Sequence, residues 1–175
     1  MIVVLRLGHR IGRDSRISTH CGLVARALGA DKIIYSGEEE KGLLDSIENV
    51  TKQWGGSFQT EYKKNWKTVI NEHKKKGFLV VHLTVYGLAM QDVMPKVKNT
   101  TNMLIIVGGE KVPGEVYQLA DYNIGVSQQP HSEIASLAVF LHEYFQGEEL
   151  FKSFTNQKIK VIPQERGKKI VEDKS

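Results

Sequence analysis

Apolar residues in this chain fall into short runs that are continuous rather than alternating and rich in β-branched side chains. A continuous run indicates a strand buried on both faces, which is typical of a parallel sheet. One further segment, residues 57–62 (SFQTEY), does alternate, so we expect it to form an edge strand. The continuous runs are residues 2–7 (IVVLRL), 32–35 (KIIY), 78–86 (FLVVHLTVY), 103–107 (MLIIV) and 122–126 (YNIGV).

Apolar positions at helical spacing fill the segments between these runs. Alternation of strands with amphipathic helices predicts an α/β domain, with a mostly parallel sheet flanked by helices. Pro113 and Pro130 follow strands and suit the first turn of a helix. The four helical stripes are Ile17, Cys21, Val24 and Leu28; Leu43, Leu44, Ile47, Val50 and Trp54; Trp66, Val69 and Ile70; and Ile134, Leu137, Ala138, Leu141 and Phe145.

The C-terminal part of the chain changes character after Gln146-Gly147-Glu148. Residues 159–172 (IKVIPQERGKKIVE) hold two β-prone runs around a glycine-containing turn, which predicts a β-hairpin. We therefore expect a main domain over residues 1–147 and an extension with a hairpin over 148–175. The extension is either a solvated appendage or an arm that covers a partner or a second subunit.

Composition narrows the class of protein without naming its function. A chain of 175 residues, 41% hydrophobic and 25% charged, matches one globular domain. The net charge of +4 suits a polyanionic partner but does not require one. The single cysteine, Cys21, excludes an intrachain disulfide and a multi-cysteine metal site. No apolar run approaches the ~20 residues of a membrane helix, so we expect a cytoplasmic protein without membrane attachment.

Three loops follow predicted strands and are the first candidates for a binding site. Ligands of open parallel sheets bind beyond the carboxyl ends of the strands. The absence of Gly-x-Gly-x-x-Gly after the first strand, and of a P-loop anywhere, argues against the two common nucleotide-binding folds. His82, His131 and His142 lack the spacing of metal ligands, so we expect structural histidines and no metal. The loops read HLTVYGLAMQD, IIVGGEKVPGE and GVSQQPHSEI.

Residues 6–22 (RLGHRIGRDSRISTHCG) concentrate cations at the exit of the first strand. Arginine binds phosphate groups through paired hydrogen bonds, so the cluster favours a nucleic acid or a phosphorylated substrate. The alternative is one solvated helix face, which Gly8 and Gly12 disfavour. The cationic and histidine side chains are Arg6, His9, Arg10, Arg13, Arg16 and His20.

Two segments resemble the second and third motifs of the SpoU-type (SPOUT) RNA ribose methyltransferases. They are residues 104–113 (LIIVGGEKVP) and 123–141 (NIGVSQQPHSEIASLAVFL), while residues 13–30 match the first motif loosely. Within that superfamily the chain is most similar to the archaeal enzymes that methylate the 2'-oxygen of cytidine 56 in the tRNA T-loop. The resemblance covers nearly the whole chain, including the hairpin.

The resemblance implies a SPOUT domain over residues 1–147, with a deep trefoil knot within about residues 78–147. It also implies S-adenosylmethionine as cofactor, tRNA as partner and a homodimer whose two subunits form the site. We expect the helices over 134–145 and 17–28 to contribute to that dimer. The implied cofactor-binding residues are Leu83, Thr84, Gly108, Gly109, Glu110, Lys111, Val112, Val126, Ser127, Gln128, Gln129, His131, Ser132, Glu133 and Ile134.

The chain also departs from the family pattern. The stretch from Ser132 to Ser136 lacks the usual asparagine, the Asn-x-Gly signature of the first motif is missing, and spacing puts the family arginine near Leu23. Arg16 is therefore our choice for the catalytic arginine. It would anchor the phosphate and stabilise developing alkoxide rather than accept a proton. Arg10 and Arg13 are the reserve and, with His20, the expected substrate-binding residues; Arg26 is expected to face solvent.

Three other functions fit the same residues. A SPOUT enzyme could methylate another RNA such as ribosomal RNA, or the basic segments could form a non-catalytic RNA-binding module. A small-molecule nucleotide-binding enzyme would use Lys111 and the glycine pair as an anion site. The arginine cluster speaks mildly against the last of these.

Overall fold

The computed structural model describes residues 1–109 and 111–172 and contains one six-stranded parallel sheet. The strand order is β3-β2-β1-β5-β4-β6. Every strand expected from the apolar runs is present, and the alternating segment forms the edge strand β3, as predicted. The strands are β1 (Ile2–His9), β2 (Lys32–Gly37), β3 (Gln59–Tyr62), β4 (Leu79–Ala89), β5 (Met103–Gly108) and β6 (Tyr122–Gly125).

Helices cover both faces of the sheet. Neighbouring residues of one strand enter different cores: Val4 packs on the side of α1, α2, α4 and α6, and Val3 on the side of α3 and α5. This is why the strands read as continuous apolar runs. The helices are α1 (Ser15–Ala27), α2 (Lys41–Trp54), α3 (Trp66–Lys75), α4 (Met90–Val97), α5 (Gly114–Leu119) and α6 (Glu133–Phe145), followed by a 3-10 turn (Glu148–Phe151).

The four predicted stripes correspond to α1, α2, α3 and α6. Ile17 is an exception, because it is 37% exposed rather than part of the core. Pro113 directly precedes α5, as expected, whereas Pro130 lies in the loop before Ser132, whose side chain accepts the N-capping hydrogen bond of α6. The stripes included neither α4 nor α5.

Strand β4 is interrupted where it passes β6. Leu83 and Leu88 both pair with Ile124, so residues 84–87 leave the ladder and return to it. A side chain at Gly87 would put its Cβ 2.5 Å from the backbone of Ile124. This close passage needs glycine, and it makes residues 84–87 a projecting loop at the carboxyl edge. The knot within 78–147 stays a prediction.

The predicted C-terminal hairpin is present as the antiparallel strands β7 (Ile159–Val161) and β8 (Ile170–Glu172). The segment before it is fixed to the end of α2. The Gly56 amide donates to the Thr155 carbonyl at 2.8 Å, and the Lys158 amide donates to the Gln53 carbonyl at 2.9 Å. The division into a domain over 1–147 and an extension over 148–175 stays a prediction.

Candidate active site

The strand order creates a crevice between β1 and β5. From β1 the chain builds outward to β2 and β3, and it then crosses to place β4, β5 and β6 on the other side. Leu7 of β1 pairs with Gly108 of β5 at the carboxyl ends of both strands. Such a reversal of strand order is the place where open parallel sheets bind ligands. Two cavities open there, and Gly109 lines both of them.

The first cavity, here called the basic cavity, has a volume of about 460 Å³. It carries four cationic side chains and one carboxylate, so its lining favours an anionic ligand. Positive φ angles at Gly8 and Gly12 let the chain after β1 turn around this cavity before α1 begins. Its lining residues are Arg6, Leu7, Gly8, His9, Arg10, Arg13, Gly37, Glu38, Gly109 and Lys111.

Ion pairs and hydrogen bonds hold the floor of the basic cavity. Arg10 binds the Asp14 carboxylate through Nε at 2.8 Å and Nη2 at 3.2 Å, and this lowers the pKa of Asp14. His9 is buried, with its ring nitrogens 2.9 Å from Ser18 Oγ and 2.8 Å from Glu40 Oε2. The histidine therefore fixes the end of β1 against α1 and the start of α2.

The second cavity, here called the neutral cavity, has a volume of about 450 Å³. It lies at the carboxyl edge of β5, between the projecting loop of residues 84–87 within β4, helix α5 and the start of α6. Thr84 Oγ1 and Tyr117 Oη form a hydrogen bond of 3.2 Å across one wall. Its lining residues are His82, Leu83, Thr84, Val85, Tyr86, Gly108, Gly109, Val112, Tyr117, Pro130, His131, Glu133 and Ser136.

A buried ion pair lies where the two cavities adjoin. Arg6, 1% exposed, is part of the basic cavity, and its Nη2 lies 3.0 Å from Oε1 of Glu133, which is part of the neutral cavity. A Cβ at Gly109 would be 3.9 Å from both of these atoms. Arg6 and Glu133 thus form the partition between the cavities, and a Cβ at position 109 would be in ordinary van der Waals contact with both side chains.

The expected cofactor residues divide among three places. Seven of them line the neutral cavity: Leu83, Thr84, Gly108, Gly109, Val112, His131 and Glu133. Lys111 lines the basic cavity instead, and Glu110 lies outside the described residues. The remaining six line neither of the two cavities: Val126, Ser127, Gln128, Gln129, Ser132 and Ile134.

The expected substrate-binding and catalytic residues also separate. Arg10 and Arg13 line the basic cavity, whereas Arg16 and His20 lie exposed on α1 and line neither cavity of this chain. The expectation for Arg26 is wrong, because it is only 7% exposed. Its Nη2 donates to the Gly55 carbonyl at 2.6 Å, and its guanidinium lies 4.8 Å from the ring centre of Phe154. Arg26 therefore anchors the C-terminal segment.

Sequence reasoning missed several residues of the site. Arg6 was recognised only as a member of the arginine cluster, because its partner Glu133 is distant in sequence. His82 was expected to be purely structural. Tyr117 and Ser136 gave no signal, since each belongs to a helix whose position relative to β4 depends on the strand order.

No group of three or more metal-ligating side chains occurs among residues 1–109 and 111–172, and none of the helices described there is long and apolar enough to cross a membrane.

Comparison with known families identifies similar proteins over nearly the whole chain. Residues 54–171 match the model of the family described as tRNA ribose 2'-O-methyltransferase, aTrm56. The tRNA (cytidine(56)-2'-O)-methyltransferase of Thermococcus kodakarensis is 51% identical, covering 98% of this chain and 97% of that protein. The protein of the same name from Methanothermobacter thermautotrophicus is 52% identical, with coverage of 98% and 96%.

Solved structures at low sequence identity show the same fold. The A. aeolicus TrmH/SpoU tRNA modifying enzyme superposes with a TM-score of 0.61 at 16% identity, over 85% of this chain and 75% of that chain. The SpoU methyltransferase AviRb from Streptomyces viridochromogenes, in complex with AdoMet, gives 0.62 at 15% identity, over 85% and 57%. The α/β sheet described above is therefore that of the SpoU/TrmH group.

Proposed function

The chain belongs to the aTrm56 family of tRNA ribose 2'-O-methyltransferases, and we propose that it methylates the ribose of cytidine 56 in tRNA with S-adenosylmethionine as donor. The observation that carries this proposal is the pair of adjoining cavities, one basic and one neutral, at the carboxyl edge of a SpoU-type sheet. Methyl transfer from a cofactor to RNA requires two such binding places with a shared boundary. Relatives about half identical over nearly their full length bear the name of this activity.

The neutral cavity fits S-adenosylmethionine, the ligand present in the AviRb complex. Its floor is backbone at Gly108 and Gly109, and a Cβ on Gly108 would come within 2.5 Å of Val112. Glu133 is the only acidic side chain among its described lining residues and would attract a cation. The buried Nε2 of His82 has no hydrogen-bond partner among the described residues. When bound, the cofactor supplies an electrophilic methyl group on a positively charged sulfur.

The basic cavity fits the ribose-phosphate of an RNA. Arginine and lysine at positions 6, 10, 13 and 111 surround it, with Glu38 as the opposing charge. Contacts of this kind to phosphate supply most of the affinity for nucleic acid and orient it without reading bases. A ribose held there would approach the neutral cavity at Gly109, beside Arg6 and Glu133. Alignment of oxygen and methyl group across this boundary can lower the barrier by roughly 7–11 kcal/mol.

The exposed position of Arg16 is compatible with a homodimer in which α1 acts on the second subunit. Helices α1 and α6 pack together, and Ile17 and Val139 on them are 37% and 44% exposed. Apolar residues exposed in this way on paired helices would be covered by a second copy of the chain. Arg16, next to Ile17, would then reach the site of the other subunit, where it would hold a phosphate and stabilise alkoxide character. A tRNA substrate is consistent with the cytoplasmic location expected from the sequence.

Methyl transfer from labelled S-adenosylmethionine to unmodified tRNA tests the proposed activity. We expect transfer to tRNA and none to ribosomal RNA, while labelling of ribosomal RNA alone would indicate the other substrate. A chain that binds tRNA but not S-adenosylmethionine in calorimetry would be an RNA-binding module. Arg16→Ala should abolish transfer and leave cofactor binding nearly unchanged, and wild-type turnover would exclude Arg16. Lys52→Ala, an exposed cation on α2, is the control.

Mixed dimers test whether Arg16 acts across subunits. One chain carries Arg16→Ala, and the other carries Val85→Trp, which fills the neutral cavity. If Arg16 acts on the other subunit, the mixed dimer keeps one complete site and recovers about half of the wild-type activity of two sites. If Arg16 serves its own subunit, neither site is complete and the mixed dimer is inactive.

A further inference from the structure

His82 is a wholly buried histidine in the wall of the neutral cavity. Its neighbours Val81 and Leu83 belong to the core on the α6 side, so the alternation of β4 turns His82 toward α5. There the imidazole meets the ring of Tyr117 edge-on, with 4.7 Å between ring centres. The Nε2 atom of His82 has no hydrogen-bond partner in the described part of the chain.

The hydrogen bonds around Asn123 define which nitrogen of His82 carries the proton. Asn123 Nδ2 donates to the Tyr117 carbonyl at 2.9 Å, and this fixes the orientation of the amide. Asn123 Oδ1 lies 2.9 Å from His82 Nδ1 and is an acceptor, so Nδ1 must be the donor. Burial lowers the pKa of His82, which keeps the ring neutral. A neutral ring with its proton on Nδ1 has an unprotonated Nε2, which is an acceptor.

A buried acceptor without a donor is unfavourable, and native structures rarely keep one without a reason. No hydroxyl group of the described residues lies within hydrogen-bond distance of Nε2, although Thr84 and Tyr117, which bond to each other at 3.2 Å, line the same cavity. Glu133, the charged group of the cavity, is itself paired with Arg6 and has no proton to donate when ionised. A donor for Nε2 therefore has to come from a molecule that enters the cavity.

We propose that His82 is a cofactor-binding residue, whose Nε2 accepts a hydrogen bond from an amino or hydroxyl group of the nucleoside part of S-adenosylmethionine. This inference rests on the proposed function, because it takes the neutral cavity as the cofactor site. Asn123 and Tyr117 are positioning residues in this arrangement: they hold the tautomer and the ring plane but do not touch the ligand through the hydrogen bonds described. The nucleoside is favoured over the amino-acid part, whose cationic groups suit the Glu133 carboxylate better than a neutral acceptor.

Nitrogen NMR of the full chain with ¹⁵N-labelled histidine tests the assignment without any substitution in the site. In the free protein, the His82 resonances should show that Nδ1 carries the proton and that Nε2 is unprotonated. Adding S-adenosylhomocysteine or adenosine, which both keep the nucleoside donors, should shift Nε2 toward a hydrogen-bonded acceptor, whereas methionine should leave it in place. A protonated Nε2 in the free protein, or an Nε2 unmoved by saturating S-adenosylhomocysteine, would overturn the proposal.

Calorimetry with His82 variants supplies the second measurement. His82→Leu should weaken S-adenosylhomocysteine and adenosine alike by roughly tenfold, the effect of one lost hydrogen bond. His82→Gln, which offers an acceptor near the Nε2 position, should recover most of that loss. His73→Leu on α3, away from both cavities, is the matched control. Equal affinity of His82→Leu and wild type would contradict the inference. Failure of the wild type to bind S-adenosylmethionine at all would instead contradict the proposed function.

Discussion

The partition between the cavities gives the sharpest prediction about stability. Glu133→Leu removes the carboxylate that faces Arg6 and leaves a guanidinium whose side chain is 2% exposed. Its Nη1 still donates to the Leu7 carbonyl, but its Nε has no partner among the described residues. Breaking a buried ion pair in this way costs about 3–5 kcal/mol. For a domain of this size that is a fall in Tm of roughly 6–20 °C.

Removal of the other partner of the ion pair, by Arg6→Met, should cost less stability than Glu133→Leu. It leaves the carboxylate of Glu133, which is 14% exposed and borders a cavity that water can enter. We expect a loss of about 1–3 kcal/mol, that of a partly hydrated polar group without its partner. The double variant replaces both charges by apolar groups, so it should lie within about 1–2 kcal/mol of wild type. The two single losses together should therefore exceed the loss of the double variant.

Urea unfolding followed by circular dichroism measures all four proteins. One protein concentration is kept throughout, because the apparent stability of any protein that self-associates depends on concentration. A coupling energy near zero, with Arg6→Met and Glu133→Leu contributing independently, would contradict this prediction. A loss larger for Arg6→Met than for Glu133→Leu would also refute it, since it would mean that Arg6 is not the more deeply buried charge.

Three shorter predictions follow from single residues. Burial lowers the pKa of His82 below its usual 6.5, so below that pH the unfolded chain binds a proton that the native protein does not bind. The stability of the protein should therefore fall as the pH falls below about 6.5. In melting curves recorded at several pH values, His82→Gln should make this pH dependence weaker. Burial raises the pKa of the Cys21 thiol to about 12, so a thiol reagent at neutral pH should label the unfolded chain and not the native one. Gly87→Ala should destabilise the protein by about 1–3 kcal/mol in urea unfolding because its Cβ meets the backbone of Ile124, whereas Gly42→Ala on α2, where the space is open, should be neutral or slightly stabilising.

The elements that the sequence predicts well are those whose local pattern matches their final environment. The inner strands β1, β2 and β5 are buried on both faces and therefore read as uninterrupted apolar runs. Helix α4 was missed although Met90, Val93, Met94 and Val97 follow helical spacing and are buried. Pro95 lies inside this helix, and a proline within a short pattern weakens a helical prediction. Burial of the apolar face of α4 outweighs the unfavourable effect of Pro95 on the helix.

The candidate site was predictable only as a set of loops. The segments after β1, β5 and β6 and the loop of residues 84–87 within β4 carry polar or glycine-rich sequence, and parallel strands bring their carboxyl ends to one edge. Which loops adjoin is decided by the strand order, which periodicity does not contain. The pairing of Arg6 with Glu133 and the bond of His82 to Asn123 both depend on it, because they join strands and helices that are distant in sequence. The role proposed for Arg16 would depend in addition on a second copy of the chain, which the sequence pattern of one chain does not describe.

The position and chemistry of the transferred methyl group test the proposed tRNA methylation directly. An unmodified tRNA transcript is incubated with the protein and S-adenosylmethionine, and the product nucleotide is mapped by mass spectrometry beside a transcript with a 2'-deoxycytidine at position 56. We expect one 2'-O-methylcytidine at that position in the first transcript and no methyl group in the second. Methylation of the deoxy transcript, or at any other nucleotide of the first, would contradict the proposed function.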